Sequence, residues 1–127
     1  MKILELLTEK RKIGNVGERA AAKLLKKSGY KILERNYVAL GYEIDIIASD
    51  SEYIAFVEVK LRKNDDFAMA REFVTASKQR RILSTARLWL AEHPLCELQP
   101  RFDIVEIYAP KGRFGPIEVN HIENAFM

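Results

Sequence analysis

Glu43-Ile44-Asp45-Ile46-Ile47-Ala48 and Tyr53-Ile54-Ala55-Phe56-Val57-Glu58-Val59-Lys60, joined by Ser49-Asp50-Ser51-Glu52, decide how this chain folds. Both segments are rich in β-branched and aromatic residues, and their connection is short and polar, so the pair predicts a β-hairpin. Side chains alternate faces along a strand. Glu43, Asp45 and Ile47 then share one face of the first strand, and Phe56, Glu58 and Lys60 share one face of the second. A two-residue turn at Asp50-Ser51 would set Asp45 opposite Phe56 and Glu43 opposite Glu58, with every charged group on one face. Carboxylates converging beside an ammonium are the chemistry of a divalent-metal site with a lysine next to it.

The energetics make such a cluster unusual. Unit charges about 4 Å apart interact by roughly 4 kcal/mol at an effective dielectric of about 20, so clustered carboxylates need a cation or a proton between them. Mg²⁺ takes oxygen ligands and also holds phosphate. The plainer alternative is an ordinary ion pair between Glu58 and Lys60, with Asp45 capping a turn in a slipped register.

The bulk composition sets the limits. At 127 residues, 48% hydrophobic and 31% charged, the chain suits one compact domain spanning 1–127. The single cysteine, Cys96, excludes an internal disulfide and a zinc framework, and His93 and His121 stand apart from each other. The opening Met1-Lys2-Ile3-Leu4-Glu5-Leu6-Leu7 soon meets Glu9-Lys10-Arg11-Lys12, which is too short and too charged for a signal peptide. No apolar run approaches membrane length, so a cytoplasmic protein with no membrane partner is expected. The net charge of +3 is gathered in clusters: Lys10, Arg11 and Lys12; Lys60, Arg62 and Lys63; Lys78, Arg80, Arg81 and Arg87. Basic clusters around an acidic site suit a phosphate-binding surface, although a charge run is also the ordinary face a helix shows to solvent.

Periodicity supplies the rest of the fold. A short helix is expected over residues 2 to 10, broken at Gly14-Asn15. Asn15 then caps a second helix over about 16 to 28, with Val16, Ala20, Ala21, Leu24 and Leu25 inward and Ser28-Gly29 ending it. Tyr30 to Tyr37 reads as a first strand, and a loop runs from Asn64 to about Val74. Thr75 or Ser77 opens a long helix to about Glu92, with Ile82, Leu83, Ala86, Trp89 and Leu90 inward and Pro94 stopping it. Arg101 to Tyr108 and Ile117 to Ile122 complete the strands, with a turn over Lys111 to Pro116 between them. The order of helix, three strands, helix, strand predicts a mixed α/β sheet with helices packed on it.

Gly17-Glu18 opening a helix, Glu43-Ile44-Asp45, and Phe56-Val57-Glu58-Val59-Lys60 together resemble the PD-(D/E)xK nuclease superfamily. More narrowly the chain resembles the YraN-like bacterial family, grouped with endonucleases and related to archaeal Holliday junction resolvases. The resemblance covers nearly the whole chain, including Gly14-Asn15-Val16-Gly17-Glu18, Glu34-Arg35-Asn36-Tyr37, Val74-Thr75 with Lys78-Gln79-Arg80-Arg81, Arg101-Phe102-Asp103-Ile104-Val105 and Asn124-Ala125-Phe126. It implies a restriction-endonuclease-like fold. It implies Asp45 and Glu58 as metal-binding carboxylates, Lys60 as the active-site lysine and Glu18 as a helix-borne acid near the metal. It further implies Gln79 as a polar residue facing the site and the Val59 carbonyl as a metal ligand. Ile44 replaces the proline of the superfamily's name, Tyr42 separates Gly41 from Glu43, and Leu61 stands where a small polar residue is usual.

What the resemblance implies is a Mg²⁺-dependent endodeoxyribonuclease, with Mn²⁺ as a substitute, that leaves a 5′-phosphate and a 3′-hydroxyl. Branched or structured DNA is the expected partner, contacted through Arg62, Lys63, Lys78, Arg80 and Arg81. Relatives that cut four-way junctions do so as homodimers, since two cuts need two sites; here the Trp89 helix or Ala125-Phe126-Met127 would supply the interface. Other readings stay open. The chain could be a nucleic-acid-binding module without turnover, or a small interaction protein whose basic helix docks an acidic partner. Residue by residue, Glu18 could complete a capping box with Asn15, Gln79 could be a plain surface residue, Asp103 on the fourth strand could be an auxiliary acid but is expected to be structural, and Trp89 is expected to lie in the core.

Overall fold

The computed structural model describes residues 16–62, 75–94, 96–110 and 115–125. The expected helix over 2 to 10, the Asn15 cap, the Lys10-Arg11-Lys12 cluster, Lys63, the loop from Asn64 and residues 111–114 of the last turn lie outside them.

A helix α1 (16–27) leads into strands β1 (Lys31–Ala39), β2 (Tyr42–Ser49) and β3 (Tyr53–Arg62). Helix α2 (Ala76–Glu92), β4 (Gln99–Tyr108) and β5 (Glu118–Ile122) follow. The strands form one open sheet in chain order, β1-β2-β3-β4-β5. Neighbours are antiparallel except β3 and β4, which the α2 crossover makes parallel. Helices cover both faces, so the architecture is the expected mixed α/β, restriction-endonuclease-like sheet. Among the described residues no helix is long and apolar enough to cross a membrane.

Local chemistry explains the ends. Gly29, at φ 97°, lets α1 stop in a left-handed cap, with Tyr30 N–H on the Leu25 carbonyl at 2.9 Å and Gly29 N–H on that of Lys26 at 3.1 Å. Thr75 caps α2, its hydroxyl accepting from Lys78 N–H at 3.2 Å.

Each face of the sheet owns a core. Ile44, Ile47, Ile54, Phe56 and Ile104 pack with Ile82, Ala86 and Trp89 of α2. Ile46, Ala48, Ala55, Val57, Val105 and Ile107 pack with Ala21, Ala22 and Leu25 of α1. Phe56 meets Trp89 edge-on at 6.0 Å between centroids and lies 5.8 Å from Phe102. Truncating such a ring to alanine costs roughly 3–5 kcal/mol. Trp89 is core, as expected, with its indole N–H on Glu34 Oε1 at 3.1 Å.

Two expectations about the hairpin need correction. The register pairs Ile46 with Val57 and Ile47 with Phe56, two residues away from the expected pairing of Asp45 with Phe56. The turn residues are Ser51-Glu52, not Asp50-Ser51. Asp50 Oδ1 accepts the N–H groups of Glu52 at 2.9 Å and Tyr53 at 2.7 Å, which places Asp50 before the turn rather than within it. Phe56, Glu58 and Lys60 share a face by alternation along β3, and the even shift keeps that face on the expected side of the pair. The other correction concerns Ile47. Ile44 and Ile47 belong to the α2-side core while Ile46 and Ala48 belong to the α1-side core, so strict alternation breaks between Ile44 and Ile47. Ile47 therefore does not share a face with Asp45, and the charged groups do not all lie on one side.

Candidate metal centre

The β2–β3 ladder runs from Ser49↔Ile54 to Ile46↔Val57. At the next position the Asp45 carboxylate, not a backbone carbonyl, takes the Val59 N–H, at 2.7 Å from Oδ2. The strands part there and a side chain satisfies the orphaned donor. The site occupies this fork.

One half of it comes from the α1 side. Carboxylate oxygens of Glu18 on α1 and of Glu43 and Asp45 on β2 all lie within 4.8 Å of one another. Gly17 lets the helix come this close: a Cβ there would meet Ile107 Cγ1 at 3.3 Å. Asn36, at φ 55° within β1, turns its amide toward the acids and donates to Glu18 Oε2 and Glu43 Oε1, both at 3.3 Å. Asparagine tolerates this left-handed conformation better than most residues, and such departures gather at functional sites. Arg35 Nη2 lies 3.7 Å from Glu18 Oε2.

The other half comes from the α2 side. Glu58 Oε1 lies 3.0 Å from Lys78 Nζ and 3.7 Å from Lys60 Nζ. Glu58 Oε2 accepts from the Tyr42 hydroxyl at 3.2 Å. Lys78 stands in the first turn of α2, where the helix dipole disfavours cations, and Glu58 supplies the compensating anion.

The electrostatics are those of an undercompensated acid cluster. Burial, then the Glu58 charge, push the Asp45 carboxyl up to about 7; the Val59 N–H opposes them, and Glu18 and Glu43 add to the rise. Burial and the neighbouring Lys78 hold the Lys60 ammonium below its ordinary range, against the pull of Glu58 and Asp45. Burial, then Glu58, raise the Tyr42 phenol, which stays a neutral donor.

The residues singled out from sequence are thus distributed unevenly. Asp45 and Glu18 share the tight trio. Glu58 stands beside it, near enough to act on Asp45, and is held by two lysines. Lys60 faces Glu58, and Val59 is fixed by its N–H. Gln79 is half-buried beside Lys78 at the start of α2. Of the basic residues, Arg62 pairs with Glu106 at 3.4 Å. Arg81 donates to the Gly41 carbonyl at 2.9 Å and lies over the Tyr42 ring. Arg80 is exposed. Glu18 meets Arg35 and Asn36, and Asp103 is structural as expected, accepting from Arg101, His121 and the Asn124 N–H.

Sequence reasoning passed over Glu43 as a ligand, although it placed Glu43 on one face with Asp45. It missed Asn36, whose signal was a poor strand former inside a strand. It also assigned Lys78 to nucleic acid rather than to Glu58. Oxygen donors in this number suit a hard dication, and the lysines suit an anionic substrate.

The model of the uncharacterised protein family UPF0102 matches residues 17–107. A UPF0102 protein of Caldanaerobacter subterraneus is 44% identical over 117 residues, covering 92% of this chain and 96% of that protein. One of Acetivibrio thermocellus is 43% identical over 122 residues, covering 92% of each. One of Vibrio parahaemolyticus is 41% identical over 120 residues, covering 94% and 95%.

Proposed function

This chain belongs to the uncharacterised protein family UPF0102, and from that premise we propose that it is a metal-dependent endonuclease hydrolysing phosphodiester bonds of DNA, branched or damaged structures among them. The observation that carries the reading is the fork: Asp45 replaces a ladder carbonyl there, with acids on one side and lysines on the other. A hairpin stabilised for its own sake would continue its backbone pairing.

The donors fit a hard dication. Three carboxylates within 4.8 Å, one of them pushed up to about 7, repel one another unless a cation or proton lies between them. Asp45, Glu18 and Glu58, with the Val59 carbonyl, would hold Mg²⁺ or Mn²⁺, and Glu43 adds a further oxygen. The bound ion supplies charge neutralisation and activation of water. Lys60 orients the attacking water and stabilises charge on the phosphoryl oxygens. Lys78 keeps Glu58 oriented, and Asn36 fixes Glu18 against Glu43. Arg62, Lys78, Arg80 and Arg81 provide positive charge along the DNA path.

Cleavage of linear duplex, single strand, flap and four-way junction in Mg²⁺ and Mn²⁺ tests the reading. Wild type should cut at least one of them, and Glu58→Ala and Lys60→Ala should each lose activity by about 10² to 10³ or more. Binding of DNA with no cutting in either metal removes the enzyme and leaves a nucleic-acid-binding module.

A further inference from the structure

The turn between β1 and β2 is built at a cost. Leu40 and Gly41 are its central residues, at φ 54° and 72°. This is the geometry of a type I′ turn, in which Asn or Gly normally comes first. A bulky residue in the left-handed region is disfavoured by roughly 1–2 kcal/mol. Burial does not offset that, because Leu40 is 69% exposed. Val38, paired with Glu43 across the same hairpin, is 64% exposed.

The tip is nonetheless held firmly. Arg81 Nη2 donates to the Gly41 carbonyl at 2.9 Å, and its guanidinium lies 5.2 Å from the Tyr42 ring centroid. The Thr85 hydroxyl lies 3.4 Å from the Ala39 carbonyl. Between tip and helix runs an open groove of about 320 Å³ lined by Leu40, Ser77, Arg80, Arg81 and Ser84. The first turn of α2 carries no acidic residue, and its N-terminal dipole adds positive potential. Tyr42 follows the tip directly and reaches Glu58 with its hydroxyl.

We propose that Leu40 is an apolar wedge that enters the base stack of DNA at an open step while Arg80 contacts the flanking phosphate. The proposal rests on the nuclease reading and sets its substrate class: DNA with an unpaired or unstacked step about five nucleotides from the scissile bond, in preference to continuous duplex. Stacked nucleotides are anionic outside and apolar between the bases, which matches an exposed aliphatic side chain pinned among arginines. Apolar wedges flanked by basic side chains unstack steps in this way. Leu40 lies five residues before Asp45, at most about 16 Å of extended chain, or roughly five stacked steps of one DNA strand.

The test uses duplexes carrying 2-aminopurine at a gap or flap junction, with Ca²⁺ in place of Mg²⁺. Wild type is compared with Leu40→Gly and Leu40→Met. Glycine relieves the turn, so Leu40→Gly folds at least as stably as wild type. Wild type and Leu40→Met should raise 2-aminopurine fluorescence severalfold, and Leu40→Gly should not. Leu40→Gly should weaken binding to the gapped or flapped DNA by about tenfold and leave linear-duplex binding unchanged. Equal fluorescence and equal affinities for all three proteins overturn the wedge but leave the nuclease standing. Wild type that binds none of these DNAs overturns both.

Discussion

Asp45 on β2 and Asp103 on β4 are the same side chain in the same sheet, and their surroundings drive them in opposite directions. Burial raises both. Asp103, fully buried, then receives Arg101 Nε and Nη2 at 2.9 Å each, the His121 ring at 2.7 Å and Asn124 N–H at 3.0 Å, and these hold its carboxyl below the ordinary range. Asp45 receives one N–H, from Val59, and faces Glu58, Glu18 and Glu43. Buried acid alone therefore does not mark a functional centre. Buried acid short of donors does, because the shortfall is what a metal can fill.

The most damaging way to break the comparison is Asp103→Asn. It leaves Arg101, 9% exposed in its side chain, without its buried counter-charge and with only the exposed Glu123 at 3.8 Å. A loss of about 3–5 kcal/mol is expected by urea denaturation. A loss below 1 kcal/mol would show that the two aspartates are not opposites.

Next in size is the response to metal. Mg²⁺ or Mn²⁺ at about 100-fold over its dissociation constant should stabilise the wild type by about 3 kcal/mol. The gain should be larger at pH 8 than at pH 5.5, since the ion competes with a proton at Asp45. Asp45→Asn should abolish it, as read by thermal denaturation with and without EDTA.

A smaller effect sharpens the signs. The raised carboxyl of Asp45 favours the fold below the unfolded value of 3.8, and that contribution is lost as pH rises toward about 7. The lowered carboxyl of Asp103 favours the fold above 3.8, and that contribution is lost as pH falls through its depressed folded value. In EDTA, Asp45→Asn should flatten the neutral limb of a Tm-versus-pH curve and gain about 1 kcal/mol at pH 8. The acid limb should be unaffected. A variant that changes only the acid limb would reverse the assignment.

The smallest effect is expected at Gly17→Ala. Helix propensity favours alanine by about 1 kcal/mol, and the contact with Ile107 offsets much of it. Stability should change by less than about 1 kcal/mol. The metal-dependent gain should still fall, because α1 carries Glu18. An unchanged metal response would uncouple the helix from the site.

Much of this was legible in the sequence. Apolar periodicity located α2 and its inward residues, and the mixture of acids with β-branched residues located β2, β3 and the acids themselves. Asp103 was expected to be structural from its place on β4, but its pairing with Arg101 was not read. What could not be read depended on single backbone choices. The left-handed turn of Asn36 brings its amide to Glu18 and Glu43. The break in alternation after Ile44 separates Asp45 from Ile47. Lys78 joins Glu58 only because α2 returns across the sheet, a contact that no local pattern encodes.

Asp50 lies at the far end of the β2–β3 hairpin from the fork, and its carboxylate selects which residues form the turn. Moving that turn by one residue slides β3 past β2 by two places, about 7 Å. Every side chain would keep its face and every apolar contact a plausible substitute, yet Glu58 and Lys60 would pass beyond reach of Asp45. The turn thus acts as a gauge block. A carboxylate outside the acid cluster sets the spacing between Asp45 and Glu58.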